Sequence, residues 1–151
     1  MLCPHDGDAL ADLFDSIVKD TEARSFFHPH SFDRTTALDI CANVNKRQDL
    51  FFVAFETPRI VGYGMLRGWD EGYDVPSFGV YVAQDRRDEG IGTALLDYAI
   101  EVARMKGCLE IMLKVYGSNR TAKALYESRG FLFIDCASDG HQLIGRLRLA
   151  E

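Results

Sequence analysis

The stretch Val82-Ala-Gln-Asp-Arg-Arg-Asp-Glu-Gly-Ile-Gly-Thr-Ala-Leu-Leu96 joins the end of an apolar strand to the start of an amphipathic helix. The first turn of a helix has backbone N–H groups without internal partners, and the helix dipole makes that end partly positive. Gly90 and Gly92 carry no Cβ, so an anion can approach the backbone closely, and Arg86 or Arg87 adds a charged donor. This turn therefore predicts a binding site for a diphosphate.

The glycine spacing of this turn excludes two common phosphate-binding loops. A Rossmann fingerprint needs three glycines at its own spacing, and a P-loop needs a Gly-Lys-Ser/Thr sequence. Neither pattern is present. A strand-to-helix turn whose glycines serve packing alone stays open as the alternative.

A second informative stretch is Gly117-Ser-Asn-Arg-Thr-Ala-Lys-Ala-Leu-Tyr-Glu-Ser-Arg-Gly-Phe131. Ser118 or Asn119 can cap a helix here, and Gly130 stands where a C-terminal cap belongs. Within the helix, Ala122, Leu125 and Tyr126 are three and four residues apart, so they share one face. Considered alone, Tyr126 could equally be an ordinary core aromatic.

The remaining pattern predicts an α/β or α+β domain around one sheet. Further helices are expected at 9–20, 33–45 and 91–106, with a loop at 25–32 between the first two. Strands are expected at 50–55, 59–66, 77–82, 109–115, 131–136 and 142–149. We predict a single domain over residues 1–151, since neither a repeat nor a linker divides the chain.

The composition of this 151-residue chain limits the classes of partner that we expect it to bind. The net charge is -6 and there is no basic stripe, which argues against a nucleic-acid partner. The four cysteines lack metal-ligand or redox spacing, so we expect reduced thiols and no bound metal. There is neither a signal-peptide pattern nor an apolar run of membrane-spanning length, so we expect a cytoplasmic protein without a membrane partner.

Together the two stretches resemble the GCN5-related N-acetyltransferase (GNAT) superfamily. The first matches its Arg/Gln-x-x-Gly-x-Gly/Ala signature at Arg87 to Gly92, and the second matches Asn-x-x-Ala-x-x-x-Tyr-x-x-x-Gly-Phe at Asn119 to Phe131. The resemblance extends from about Leu50 to Phe131. It implies a mixed, mainly antiparallel central sheet flanked by helices, with a splayed strand pair that binds CoA.

The resemblance also implies acetyl-CoA as co-substrate and a role for each matching position. Backbone groups of Val80 and Val82 would bind the pantetheine arm, and Tyr126 would act as general acid beside the thioester sulfur. The pyrophosphate would be held by the segment that contains Arg87, Asp88, Gly90, Ile91, Gly92 and Thr93. The rest of the cofactor arm would contact Asn119, Ala122 and Leu125.

The reaction implied is direct attack of a primary amine on the acetyl carbonyl in a ternary complex. Many family members place a glutamate near the start of the strand before the signature, where this chain has Ser77. Ser77 is no base, although it could hold a water molecule. The general base stays unassigned among five loop residues, namely His28, His30, Asp70, Glu71 and Asp74.

The acceptor is expected to be a small-molecule amine, such as an amino sugar, a sugar nucleotide or an amino acid. Its pocket is predicted from aromatic and polar loop residues, namely Phe26, Phe27, His28, His30, Phe32, Arg67, Trp69, Tyr73 and Asp74. The alternatives are acetylation of a protein or peptide, and a non-catalytic acyl-CoA-binding regulatory module. A homodimer through an edge strand or the closing strands is compatible with the pattern.

Overall fold

A computed structural model describes residues 1–149, so the last two positions of the expected domain lie outside the described residues. Its sheet has six strands in the order β1-β2-β3-β4-β6-β5. Only the β3–β4 pair is parallel, which confirms the expectation of a mixed, mainly antiparallel sheet. The strands are β1 (Leu50–Glu56), β2 (Arg59–Arg67), β3 (Ser77–Val82), β4 (Glu110–Tyr116), β5 (Leu132–Cys136) and β6 (Gln142–Arg148).

Five helices flank this sheet: α1 (Gly7–Lys19), α2 (Thr21–Phe26), α3 (Arg34–Asn43), α4 (Ile91–Met105) and α5 (Arg120–Ser128). Successive strand residues point to opposite faces, so each face carries its own core. Phe51 packs with Phe14 of α1 on one face, whereas Phe52 packs with Leu96 of α4 on the other. The helices therefore sandwich the sheet.

Aspartate side chains cap two of the helices near the N-terminus of the chain. The Asp33 carboxylate accepts the Thr36 N–H at 2.7 Å and starts α3, and the Asp20 carboxylate accepts the Ala23 N–H at 3.1 Å and starts α2. The loop predicted at 25–32 therefore begins only after Phe26, because the Asp20 cap supports a short helix that the apolar pattern does not reveal.

Strands β3 and β4 splay apart immediately after they meet. Their single paired position is Ser77 opposite Met112, supported by a bond of 3.0 Å from the Met112 N–H to the Pro76 carbonyl. Beyond it the strands diverge and leave a gap through the sheet. This is the opening that the sequence resemblance implied.

The outer strand β5 is an edge of the sheet. Leu132 and Ile134 on this strand are 65% and 78% exposed. A homodimer through an edge strand stays a prediction. Within residues 1–149, none of the helices combines the length and apolar character that a membrane crossing requires.

Candidate active site

A cleft of about 580 Å³ fills the gap between β3 and β4 and reaches the N-terminus of α4 and one side of α5. We call it the gap cleft. It brings together all the residues predicted to bind the cofactor, together with the predicted general acid. They are Val80, Val82, Arg87, Asp88, Gly90, Ile91, Gly92, Thr93, Asn119, Ala122, Leu125 and Tyr126.

The glycine turn at the start of α4 has the geometry of an anion cradle. Gly90 has φ +86° and caps the helix, and Asp88 also adopts a left-handed conformation at φ +62°. A Cβ added at Gly90 would meet no atom within 4 Å, and one at Gly92 would meet only Val82 Cγ2 at 3.5 Å. A Cβ at either position would not clash with a neighbouring side chain, so side-chain packing does not explain these two glycines. The space beside the turn is open to a ligand.

The backbone of the turn supplies the donors. The first helical bond of α4 runs from the Ala94 N–H to the Gly90 carbonyl. The N–H groups of Ile91, Gly92 and Thr93 therefore precede the hydrogen-bonded ladder, at the positive end of the helix dipole. Because all three residues line the gap cleft, this end of α4 suits a pyrophosphate.

The side chain of Arg87 hydrogen-bonds to other residues of the protein. One guanidinium nitrogen donates to the Asp20 carboxylate at 2.6 Å, and Nε donates to the Val82 carbonyl at 3.3 Å. Asp20 is only 3% exposed and also accepts the Tyr81 hydroxyl at 3.0 Å. Burial would raise the pKa of Asp20, but the bonds from Ala23, Arg87 and Tyr81 hold it below its usual value. Sequence reasoning missed Asp20, because its only signal was that of a helix cap.

Tyr126 lies on the inner face of α5. Its ring meets Phe78 of β3 edge-on at 6.3 Å between centroids, and the residue is 7% exposed. Burial raises the pKa of its hydroxyl to about 12, so this group stays protonated at neutral pH. The position fits a hydrogen-bond donor at the bottom of the gap cleft.

A second cleft, of about 900 Å³, opens on the sheet face that carries α1 to α3. We call it the face cleft. It meets the gap cleft, since Phe26, Phe27, Phe78, Gly79, Lys114 and Tyr116 line both. Among the residues predicted for the acceptor pocket it contains Phe26, Phe27, His28, Arg67, Tyr73 and Asp74. Ser77 and the candidate base Glu71 line it as well.

Three predicted pocket residues lie elsewhere. Trp69 packs against the core under α4, with the Lys106 ammonium 5.1 Å above its ring. His30 and Phe32 pack against each other and against Phe14, and His30 Nε2 lies 2.9 Å from the Tyr63 hydroxyl. Burial lowers the pKa of His30. His30 and Phe32 line a neighbouring cavity of about 430 Å³, which shares Phe27 and His28 with the face cleft.

Asp49 and Asp70 form what we call the Asp49–Asp70 clamp, in which carboxylates bind backbone N–H groups; Asp70 contributes two of these bonds. The Asp70 carboxylate accepts the N–H groups of Gln48 at 2.9 Å and Asp49 at 3.1 Å, and the Asp49 carboxylate accepts the Asp70 N–H at 3.2 Å. These contacts fix the turn after β2, which leads into the loop that lines the face cleft. The candidate bases in the face cleft are therefore His28, Glu71 and Asp74.

The family model described as "Acetyltransferase (GNAT) family" matches residues 13–131 of the chain. The chain belongs to the GNAT family of acetyltransferases. This confirms the family resemblance and the assignment to the N-acetyltransferases.

Relatives of known name agree with GNAT membership. An acetyltransferase of Pectobacterium atrosepticum is 32% identical over 107 residues, which are 71% of this chain and 74% of that protein. A thialysine N-epsilon-acetyltransferase of Bos taurus is 34% identical over 48% of this chain and 45% of its own length. The ribosomal protein bS18-alanine N-acetyltransferase of Escherichia coli is 41% identical over 36% of each chain.

Solved structures share the GNAT fold. A ribosomal-protein-alanine N-acetyltransferase from Brucella melitensis superposes with a TM-score of 0.79 at 24% identity, over 97% of this chain and 96% of that one. A PaiA N-acetyltransferase from Thermoplasma acidophilum, solved with coenzyme A, gives a TM-score of 0.76 at 21% identity, over 97% and 95% of the two chains. Membership supports acetyl-CoA as the co-substrate of this GNAT protein.

Proposed function

We propose that this protein transfers the acetyl group of acetyl-CoA to the primary amine of a small molecule. The observation that carries the proposal is the meeting of the two clefts at Phe78, Gly79 and Lys114. A thioester held in the gap cleft and an amine held in the face cleft would come together there, where the strands splay.

The proposed binding site for the acetyl donor, acetyl-CoA, is formed mainly by the turn before α4 and by β3. The N–H groups of Ile91, Gly92 and Thr93 would bind the pyrophosphate, as their position at a helix N-terminus favours. Backbone groups of Val80 and Val82 would bind the pantetheine arm, since β3 has no partner strand beyond Ser77 on its β4 side. Ala122 and Leu125 of α5 would line the opposite wall.

In the transfer step, the lone pair of the amine forms a bond to the acetyl carbon while the carbon–sulfur bond breaks. The amine loses a proton, and the sulfur leaves with the electron pair and gains a proton. Tyr126 would donate a hydrogen bond to that sulfur. Burial raises the pKa of the Tyr126 hydroxyl to about 12, so the hydroxyl keeps its proton until the sulfur leaves. We therefore assign Tyr126 the role of general acid, which hydrogen-bonds to the departing sulfur, gives it the proton and is reprotonated from solvent.

The acceptor amine must be neutral when it attacks. A lysine-like amine of pKa about 10.4 is mostly charged at neutral pH, whereas an α-amine of pKa about 8 is neutral in roughly one molecule in ten at pH 7. His28, Glu71 and Asp74 border the face cleft and are the candidates for accepting the proton, directly or through water held near Ser77. An amine of low pKa would need the least help.

A second candidate acceptor is the α-amine of a protein or peptide. Its support is the 41% identity over 54 residues with the bS18-alanine N-acetyltransferase of Escherichia coli. A peptide would have to enter the face cleft end-on, with its chain leaving past the exposed residues Tyr73 and Asp74.

The test is a mass-spectrometric screen with acetyl-CoA and a mixed panel of amines. The panel contains amino acids, amino sugars, amino-sugar nucleotides, polyamines and short peptides. Acetylation of small amines in preference to peptides supports the proposal, and acetylation of peptides alone supports the second candidate. Acetyl-CoA binding without any acetylated product would favour a non-catalytic acyl-CoA-binding module.

A further inference from the structure

Two basic side chains line the face cleft: Arg67 at the end of β2 and Lys114 in β4. Arg67 is half-buried, and Lys114 is exposed. Lys114 also lines the gap cleft, so it lies where the two clefts meet.

The sheet register places both cations on one face. Arg67 stands opposite Ser77, and Ser77 stands opposite Met112, so these three residues lie side by side across three strands. Lys114 is two residues beyond Met112 and therefore shares its face. Arg67 and Lys114 therefore stand on opposite sides of the splay, and both line the face cleft.

Within residues 1–149, no carboxylate oxygen lies within 4 Å of Arg67 or Lys114. Several other arginines are paired, as Arg59 is with Asp85 at 2.7 Å and Arg129 is with Asp97 at 2.7 Å. Arg67 instead donates one nitrogen to the Pro29 carbonyl at 2.5 Å. A guanidinium has five N–H donors, so most of its capacity remains for a ligand. Paired acceptor oxygens such as those of a carboxylate match this geometry.

The acidic side chains of the face cleft come from a different element. Glu71 and Asp74 belong to the loop between β2 and β3, whereas the cations rise from the strands. The cleft therefore offers partners for a ligand that carries both a negative group and an ammonium group. A purely cationic amine would meet Arg67 and Lys114 as like charges.

We propose that the acceptor is an amine that carries a carboxylate group close to its amino group. This inference rests on the proposed acetyl transfer and specifies its substrate class. Arg67 and Lys114 bind the carboxylate. Because Lys114 and Gly79 both line the junction of the clefts, a carboxylate bound by Lys114 would bring an adjacent amino group towards that junction. An α-amino acid has this arrangement, whereas an internal lysine of a protein does not.

The test compares matched acceptors that differ only in the negative charge. Each free amino acid of a panel is assayed beside its carboxamide and its methyl ester, with acetyl-CoA fixed and product measured by mass spectrometry. We expect at least one free acid to exceed its amide in kcat/KM by about tenfold or more, as the loss of a charge-assisted contact predicts. Rates are compared at equal concentrations of neutral amine, because amidation lowers the amine pKa.

Variants identify the residues responsible. In R67Q and in K114Q we expect the ratio of acid to amide to fall towards one. The variant Arg67→Lys keeps the charge and should retain part of the ratio, which separates ligand binding from the contact with Pro29. Arg148→Gln removes an exposed arginine of β6 outside the face cleft and serves as the matched control with an unchanged ratio.

Two results overturn the inference, and they are distinguishable. Equal turnover of acids and amides, or a preference for amides, amino sugars or peptides, would leave acetyl transfer intact and remove the carboxylate requirement. A protein that binds acetyl-CoA in calorimetry but acetylates no amine would overturn both this inference and the proposed function.

Discussion

The guanidinium of Arg87 lies 2.6 Å from the buried carboxylate of Asp20, which is distant in sequence at the start of α2. Arg87 opens the glycine signature, but its side chain turns towards α2 and its Nε donates to the Val82 carbonyl at the end of β3. The same carboxylate accepts the Tyr81 hydroxyl. Asp20 therefore ties the turn before α4 to β3 and α2, and we interpret it as a positioning residue for the pyrophosphate site.

We expect Asp20→Asn to raise the KM for acetyl-CoA by about tenfold while kcat changes less. The amide keeps one acceptor oxygen, for the Ala23 N–H, and loses the charged oxygen that Arg87 and Tyr81 share. Bonds to charged groups contribute about 1.5–3 kcal/mol. Steady-state kinetics with acetyl-CoA varied would measure the split. A double variant with Arg87→Gln should recover part of the affinity, because the two neutral side chains can hydrogen-bond to each other.

The matched control for Asp20 is Asp97→Asn, which removes the exposed pair between Asp97 and Arg129. Exposed pairs contribute about 0–1 kcal/mol, so this variant should leave the KM for acetyl-CoA unchanged. If Asp20→Asn lowered thermal stability alone, with the KM unaffected, Asp20 would be structural only.

The glycine turn predicts a contrast between two substitutions at Gly92. A Cβ there meets only Val82 Cγ2 at 3.5 Å, so Gly92→Ala should fold normally and weaken acetyl-CoA binding by less than about tenfold. Gly92→Glu adds a carboxylate where the pyrophosphate is expected, and like charges repel at the helix N-terminus. We expect binding of acetyl-CoA to fall below detection in calorimetry. Equal affinity of the two variants would place the pyrophosphate elsewhere.

Removing the Tyr126 hydroxyl should slow the chemical step and spare binding. We expect Tyr126→Phe to lower kcat by about 100-fold, the lower end for groups that assist proton movement, because the leaving sulfur loses its hydrogen-bond donor. The ring contacts with Phe78 and Phe131 remain, so the KM for acetyl-CoA should stay within twofold. Tyr98→Phe, on the exposed side of α4, is the control. An unchanged kcat for Tyr126→Phe would exclude Tyr126 from the reaction.

The Asp49–Asp70 clamp predicts acid sensitivity. Bonds from the Gln48 and Asp49 N–H groups hold the pKa of Asp70 below its usual value. A lowered pKa means that Asp70 stabilises the folded state above its unfolded pKa of about 3.9, and that this contribution is lost as the pH falls towards the folded pKa. Urea unfolding of the wild type and Asp70→Ala should therefore differ at pH 7, and the difference should shrink as the pH falls below about 3.9. A constant difference would assign the effect to side-chain packing.

Much of the fold could be predicted from short-range patterns. The strand 77–82 coincides with the observed β3, and the helix predicted to begin at residue 91 begins there, because the glycine turn and the apolar periodicity are local signals. Helix α2 was missed because a six-residue helix leaves almost no periodicity and depends on the Asp20 cap. The glycine signature indicated its ligand because a helix N-terminus binds anions wherever it occurs.

The positions of the aromatic loop residues could not be predicted from the local sequence. Phe27 and Trp69 have similar apolar character in the sequence, yet Phe27 lines both clefts and Trp69 packs under α4. Which of two faces a loop side chain reaches depends on the path of the chain between elements, and composition contains no information about that path. The sequence by itself determined the family, the strand segments and the anion turn, since each depends on neighbours within one or two helical turns. Only the tertiary structure joined Asp20 to Arg87 and set Arg67 beside Ser77 and Met112, because strand register and helix docking bring distant residues into contact.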